Sequence, residues 1–290
     1  MKTINDKNNN NNQVVPMVSV LIPVFNGAHY LPSTMDSIFS NSYKNYEVIL
    51  VDDGSSDNSK KLCLEYQSKY SNVKFVSFDT NKGMVRALNV GIQIASGKYI
   101  ARINQDDLMI EDRLVKQVDF LEKNPQVVVV GGQVVLFTNE NALYDTINFP
   151  LTDKELRSRW LALSPFSDPT TMYKRDIFLK TTGYDQNFWP ADDVHMWYMM
   201  GKLGELANLS DVVTKVRWHA GAGSIKYHKN QIKKTLAVHM WAAKNIKKPD
   251  LFTCTFWLLQ YVAGSLLPSR LNWYIYRNIK RLGSSLKKAN

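Results

Sequence analysis

Residues Ile100 to Asp107 carry the first sign of chemistry. Four residues suited to a buried strand, Ile100-Ala101-Arg102-Ile103, pass through Asn104 and Gln105 into the adjacent carboxylates Asp106 and Asp107. A carboxylate at a strand end projects from a rigid element, and a pair of them suits a hard divalent cation with oxygen ligands. Ligands of open parallel α/β sheets collect where the strands' carboxyl ends face a crevice. The competing reading is a solvated turn before a helix that opens near Glu111. Two further acidic stretches stand out. Asp52-Asp53-Gly54-Ser55-Ser56-Asp57 follows an apolar run, and in Tyr184 to Asp193 aromatics alternate with acids.

The elements that must position these groups are legible in the hydrophobic pattern. Val18 to Val24 and Tyr46 to Val51 are short apolar runs of the kind buried on both faces, Val73 to Phe78 reads as a third strand, and Lys98 to Ile103 as a fourth that delivers the acidic pair. Helical patterns separate them: one from Leu31 with Pro32 in its first turn, one from about Asp57, one over 84–96. Such alternation with short loops predicts a doubly wound, mostly parallel sheet with helices on both faces. No Gly-x-Gly-x-x-Gly follows a strand and no phosphate-loop signature occurs, which excludes dehydrogenase-type and P-loop chemistry.

Further along, the pattern predicts a helix over 111–123 and a strand over Val127 to Val135 bent at Gly131-Gly132. It continues with a helix near 153–162, a strand near Thr170 to Tyr173 and a short helix from Asp176. A helix from Val194 to about Lys202 and a strand over Val212 to Trp218 follow, the latter leading to His219.

With 290 residues, 44% apolar and 21% charged, the chain has an ordinary globular composition. Its net charge of +10 is unevenly placed: residues 226–290 hold thirteen Lys/Arg against the single acid Asp250, and the body before them is near neutral. Two cysteines, Cys63 and Cys254, build neither a disulfide framework nor a four-ligand zinc site, as suits a reducing compartment. The Asn-rich stretch 1–16 has no apolar core of a signal peptide and reads as a disordered leader.

In order along the chain, Val18-Ser19-Val20-Leu21-Ile22-Pro23-Val24-Phe25-Asn26, Val51 to Asp57, Asn81-Lys82-Gly83 with Ala87-Leu88-Asn89, and Gly97 to Arg102 running into Asp106-Asp107 resemble a family-2 glycosyltransferase. Arg113-Leu114 with Gln117, Gly183-Tyr184-Asp185, Asp192-Asp193 and Arg217-Trp218-His219 continue the match, which spans about residues 17–225. The resemblance implies a GT-A fold in two joined halves, 17–110 for the nucleotide-sugar and 111–225 for the acceptor, with a basic, aromatic helical tail at 226–290. It implies an inverting transfer from a nucleoside-diphosphate sugar, a UDP-sugar by preference, to a glycan or lipid-linked hydroxyl, with Mn²⁺ or Mg²⁺.

By the same resemblance, Asp53 accepts a hydrogen bond from the donor base, beside a wall of Pro23 and Phe25. Val24, Lys82, Gly83, Asn89 and Gln105 complete the donor site, with Asn104 on the ribose or metal and Arg217 on the diphosphate. Asp106 binds the cation, joined by His219 in the metal shell or at the phosphates. Asp193 is the general base beside Asp192. The chain departs from the family at Asn104 and Asp192, which replace Asp and Glu, at His195 and Met199, and at Asp168, where His is common.

In the tail, Leu251 to Ser269 is uncharged, with Phe252, Phe256, Leu259, Ala263 and Leu266 on one stripe, and Trp273 to Tyr276 precede basic residues. That pattern suits an anionic membrane interface on the cytoplasmic side; a packing or oligomer helix and a marginal span are the alternatives. The tail's aromatics lie among aliphatics, which argues against nucleic acid. Two other readings of the whole chain remain: a sugar nucleotidyltransferase, disfavoured because Phe25 to His29 is no Gly-rich basic loop, and a membrane-surface module with a decayed site.

Overall fold

A computed structural model describes residues 17–138, 143–219, 221–267 and Leu271. The expected leader, and the tail beyond Leu267 apart from Leu271, lie outside the described residues. Nine strands form one sheet: β1 (Val18–Val24), β2 (Tyr46–Asp52), β3 (Val73–Ser77), β4 (Tyr99–Arg102), β5 (Leu108–Met109), β6 (Val127–Phe137), β7 (Leu143–Ile147), β8 (Met172–Lys174) and β9 (Glu205–Arg217). The order is β3-β2-β1-β4-β8-β6-β9-β5, with β7 paired to β6. The helices are α1 (Leu31–Phe39), α2 (Ser59–Lys69), α3 (Met84–Ile94), α4 (Arg113–Lys123), α5 (Asp153–Ser158), α6 (Arg175–Phe178), α7 (Asp192–Gly201), α8 (Gly223–Lys226), α9 (His228–Asn245) and α10 (Leu251–Leu266).

The apolar runs become strands because both sheet faces are covered. Leu21, Ile49 and Val51 face one core with α3 and α7, while Val20, Ile22, Val48 and Leu50 face another with α1 and α4. Successive side chains point to opposite faces, so continuous apolarity in β1 and β2 is the signature of a doubly covered sheet.

Register decides what meets at the sheet's functional edge. β1 and β2 run parallel with Val24 opposite Asp52, and β1 pairs β4 with Leu21 opposite Arg102. The loops after β1, β2 and β4 therefore open at one edge. β8 is antiparallel to β4, Ala101 opposite Met172, so the stretch before β8, Asp168 to Thr171, arrives where β4 ends. The short β5 turns back antiparallel to β9, Leu108 opposite Lys215, and so brings Arg217 and His219 to the acidic pair that precedes it.

Several elements differ from the sequence expectation: β5 and β7 add to the expected strands, and the helix near 153–162 ends at Ser158. The strand near Thr170 begins at Met172, because Asp168 to Thr170 form a 3-10 turn. β6 runs unbroken through Gly131-Gly132, with its irregularity appearing as register shifts against β9. A Cβ on Gly131 would stand 2.2 Å from Asn208 Oδ1, so the glycine permits close approach, and one of the register shifts falls beside it, at Gly131/Gln133. β9 starts at Glu205, seven residues before the expected Val212, because polar Asn208, Ser210 and Asp211 interrupt its apolar run.

Arg113 on α4 fastens this junction. It is fully buried, and its guanidinium donates to the carbonyls of Arg102 (2.9 Å), Thr171 (3.1 Å) and Pro169 (2.8 Å), to Thr214 Oγ1 (3.1 Å) and to Gln117 Oε1 (2.9 Å). Gln117 in turn donates to the Thr170 carbonyl at 2.8 Å. Burial, helped by the neighbouring Arg102 charge, lowers Arg113 to about 9, so it stays charged at neutral pH. Replacing Arg113 with Met strips donors from three buried carbonyls, and the expected loss is about 3 kcal/mol or more in urea unfolding. A loss under about 1 kcal/mol would contradict the pin.

Candidate active site

The residues after β4 divide their labour by burial. Asp107 is 1% exposed; its Oδ1 accepts from the Arg217 backbone N–H (2.9 Å) and its Oδ2 from Asn104 Nδ2 (2.8 Å). Burial, reinforced by the neighbouring Asp106 charge, raises its carboxyl well above the usual carboxylate range. Asp106 points the other way, its Oδ2 2.9 Å from His219 Nε2, with both side chains about one-fifth exposed at 20% and 22%. The expected acidic pair is thus one outward carboxylate and one buried lock, because only Asp106 lies on the open side of the turn.

Arg217 stands between the two. Its Nε donates to the Asp106 carbonyl (2.9 Å) and its Nη2 to Ser33 Oγ (3.3 Å), while the guanidinium lies 4.4 Å from the Phe137 ring and 5.2 Å from that of Tyr30. Tyr30 also packs on His219, ring centroids 4.8 Å apart. Arg217 is 8% exposed.

A divalent cation would find Asp106 and His219 here and, among the described residues, no third His, Cys, Asp or Glu in a metal-holding group. One carboxylate and one imidazole fit a Mn²⁺-like ion that fills its remaining positions with oxygens from water and a substrate's phosphates.

Several residues expected at a donor hold backbone in place. Gln105 clasps Phe25, accepting from its N–H (2.9 Å) and donating to its carbonyl (3.0 Å). Asp53 takes the N–H groups of Lys82 (2.6 Å) and Gly83 (2.9 Å), which fastens the loop before α3 across the end of β2. Burial raises its carboxyl, against the pull of those two donors. Asn89 clasps both backbone groups of Tyr184, at 2.8 and 3.0 Å. The Asn104 amide is spent between Arg102 Nη2 (2.7 Å) and Asp107. Val24 is wholly buried and reaches the site only through its carbonyl, which accepts from the Asp53 N–H at 2.8 Å. Phe25, 42% exposed, and the half-buried Pro23 are the apolar surface at this edge.

The second acidic station is the first turn of α7, where a helix N-terminus favours negative charge. Asp192 is 3% exposed, and burial, followed by the charges of Asp193 and Asp168, raises its carboxyl well above the usual range. Asp193 beside it is half-buried. Asp168 pairs with the buried Arg102 at 3.1 Å. A continuous polar chain therefore runs from Asp168 through Arg102, Asn104, Asp107 and Arg217 to Asp106 and His219.

What the sequence reading missed is the brace behind α7. His195 lies between the rings of Phe188 (4.3 Å) and Trp241 of α9 (4.5 Å), Trp189 meets Tyr227 edge-on at 4.6 Å, and Lys234 Nζ donates to the Asn187 carbonyl at 2.6 Å. Tyr227, Lys234 and Trp241 recur every seven residues, a spacing that lays them along one helix face and was available as a signal.

The matched family model is described as Glycosyl transferase family 2 and covers residues 19–181. A Bacillus subtilis (strain 168) chain whose name marks it as a glycosyltransferase, EpsE, is 30% identical over 238 residues, spanning 81% of this chain and 84% of its own. Among solved structures, the mannosyltransferase PcManGT of Pyrobaculum calidifontis, in complex with GDP-Man and Mn²⁺, superposes with a TM-score of 0.63 at 18% identity, covering 94% of this chain and 85% of that one. S. aureus TarS 1-349 in complex with UDP-GlcNAc gives 0.60 at 17% identity, covering 86% and 81%. The sheet and its flanking helices are of the GT-A type.

Asp192 yields a test of these electrostatics. A carboxyl raised on folding binds protons more tightly in the native state, so it takes stability away as pH rises from about 4 through its folded value. Asp192→Asn should therefore raise the thermal midpoint at pH 7, with the gain shrinking to nothing toward pH 4. Scanning calorimetry across that range checks it, and a lower midpoint at pH 7 would contradict it.

Proposed function

This chain belongs to glycosyl transferase family 2, and we propose that it is an inverting, divalent-metal-dependent glycosyltransferase that uses a nucleoside-diphosphate sugar. The observation that carries the reading is the outward Asp106–His219 pair at the carboxyl edge of the parallel strands. Asp106 and His219 would hold Mn²⁺ or Mg²⁺, which when bound would neutralise charge on the departing diphosphate.

The chain's own residues do the rest. Pro23 and Phe25 flank the base, and Asp53 keeps one lone-pair direction for a base N–H while it holds the 82–83 loop. Lys82 and Gly83 line the donor's path. Asn89, Asn104 and Gln105 act through the backbone and side chains they clasp. Arg217 sets the position of Asp106 and lends positive charge beneath the diphosphate. Asp193 takes the proton of the acceptor hydroxyl as that oxygen bonds to the anomeric carbon and the bond to the diphosphate breaks on the opposite face. Burial raises the Asp192 carboxyl well above the usual carboxylate range, which sets it apart from the half-buried Asp193 beside it.

Uridine is the base we assign, with TarS holding UDP-GlcNAc as the supporting likeness, while GDP-Man in PcManGT marks guanosine as the alternative. The acceptor is a hydroxyl of a glycan or lipid-linked glycan, and the protein works peripherally at the cytoplasmic face of a membrane.

Turnover of a panel of nucleotide sugars with Mn²⁺ or Mg²⁺ tests this. Asp106→Ala is expected to lower turnover by about 100-fold or more, with chelator abolishing the wild-type rate. Asp193→Asn should cut kcat by about 10²–10⁴-fold with little change in donor KM. Full activity of either variant would overturn its assigned role, and retention of the donor's anomeric configuration in the product would overturn inversion.

A further inference from the structure

Helix α10 wears its apolar side outward. Leu251 is 83% exposed, Phe252 81%, Leu258 62%, Leu259 63% and Leu266 78%, and with Val262 they fall on one stripe of the helix. The inward side is the smaller and more polar one. There Trp257 stacks on His239 of α9 (5.2 Å, 1° between planes) and donates Nε1–H to the Leu161 carbonyl; Gly264 is buried as well, and Thr253 and Gln260 are half-buried. A helix normally buries its apolar stripe, so an exposed one marks a surface with a partner.

Charge says which partner. α10 carries no charged residue, and Lys244, Lys247 and Lys248, all exposed, stand just before its N-terminus. From residue 226 to 290 the only acid is Asp250, whose carboxylate caps the helix by accepting from the Thr253 N–H at 2.7 Å. Aliphatic and aromatic residues rimmed by lysine without acids complement the acyl boundary and negative headgroups of an anionic bilayer. A second copy of this chain would bring the same positive charge to the contact and be repelled. No described helix is long and apolar enough to cross a membrane, and α10, with 16 residues, falls short of the roughly 20 that a span requires.

We propose that the outward face of α10, with the lysines at its start, is a docking surface for anionic lipid bilayers on which the helix lies in the interfacial plane. The inference stands apart from the catalytic reading and supplies the attachment that a lipid-linked acceptor would need. On its inward side the same helix leans through Trp257 on His239 of α9, whose imidazole Nδ1 is 3.2 Å from the hydroxyl of Tyr198 on α7, the helix that carries Asp192 and Asp193.

The test is flotation of the full chain with vesicles of phosphatidylcholine alone and of phosphatidylcholine with about one-third phosphatidylglycerol, at low and high salt. Binding is expected on the anionic vesicles and weaker on the neutral ones. Salt should weaken it only in part, because the apolar contribution is not screened. Leu258→Glu with Val262→Glu, both at exposed positions, should lower that binding by about tenfold or more. Turnover of a soluble acceptor by the double variant should stay at the wild-type level, so failure of docking and failure of the catalytic reading are distinguishable. No binding to anionic vesicles, or unchanged binding by the double variant, would overturn the proposal. So would a concentration-dependent dimer, seen by sedimentation velocity, that the two substitutions abolish while vesicle binding is absent.

Discussion

Two arginines without access to water govern this structure. Arg102 and Arg113 are each 0% exposed, and a guanidinium so placed costs several kcal/mol unless its donors find partners. Arg113 donates to the Pro169, Thr171 and Arg102 carbonyls, and Arg102 to the Ile103 carbonyl and Asn104 Oδ1, with the Asp168 carboxylate as its ion-pair partner 3.1 Å from Nε. Satisfying both charges forces the 168–171 turn against the end of β4 and sets β9 beside it through Thr214. The acidic loop after β4 can then adopt few arrangements, and the one adopted buries Asp107 and turns Asp106 outward.

From this follows a division of roles. Polar side chains with the character of ligand contacts are largely occupied with backbone, as Gln105 is with Phe25, Asn89 with Tyr184, Asp53 with residues 82 and 83. Each clasp fixes a loop that would otherwise vary, and a site whose loops are fixed before a ligand arrives loses less on binding it. The groups left facing the crevice are few, and Asp106 and His219 are the pair in direct contact. Placing acids at the start of α7 also carries a cost in stability, since Asp192 is held where its charge is poorly solvated.

The parallel half of the fold was legible because its code is local. Doubly buried strands read as apolar runs and amphipathic helices as stripes, and β1, β2 and β4 with α1, α3 and α4 follow that rule, whereas the edge strand β3 buries only Val73 and α2 only Ser59 and Cys63. The later part was less so. β5 has two residues, β9 is punctuated by Asn208, Ser210 and Asp211, and β8 takes its place through Arg113 and Arg102, which are distant in sequence. For the site, residue type and strand-end position pointed to Asp106 and Asp53, and the family resemblance to the Asp192-Asp193 pair. Neither says whether an amide faces a ligand or a peptide bond, which is why Asn89, Asn104 and Gln105 looked like contacts. The α9 brace on His195 went unseen because its seven-residue spacing lay inside a stretch read only for charge and apolarity.

Catalysis of the proposed kind turns on Asp106 and His219 sharing one divalent ion. Pulsed electron paramagnetic resonance of Mn²⁺ bound to the protein with UDP reads this directly, because an imidazole nitrogen on the ion leaves a nitrogen coupling. Shared ligation predicts that coupling in the wild type, its disappearance in His219→Gln, and loss of tight Mn²⁺ binding in Asp106→Ala. Tight Mn²⁺ binding with no nitrogen coupling, indifferent to Asp106→Ala, would contradict it.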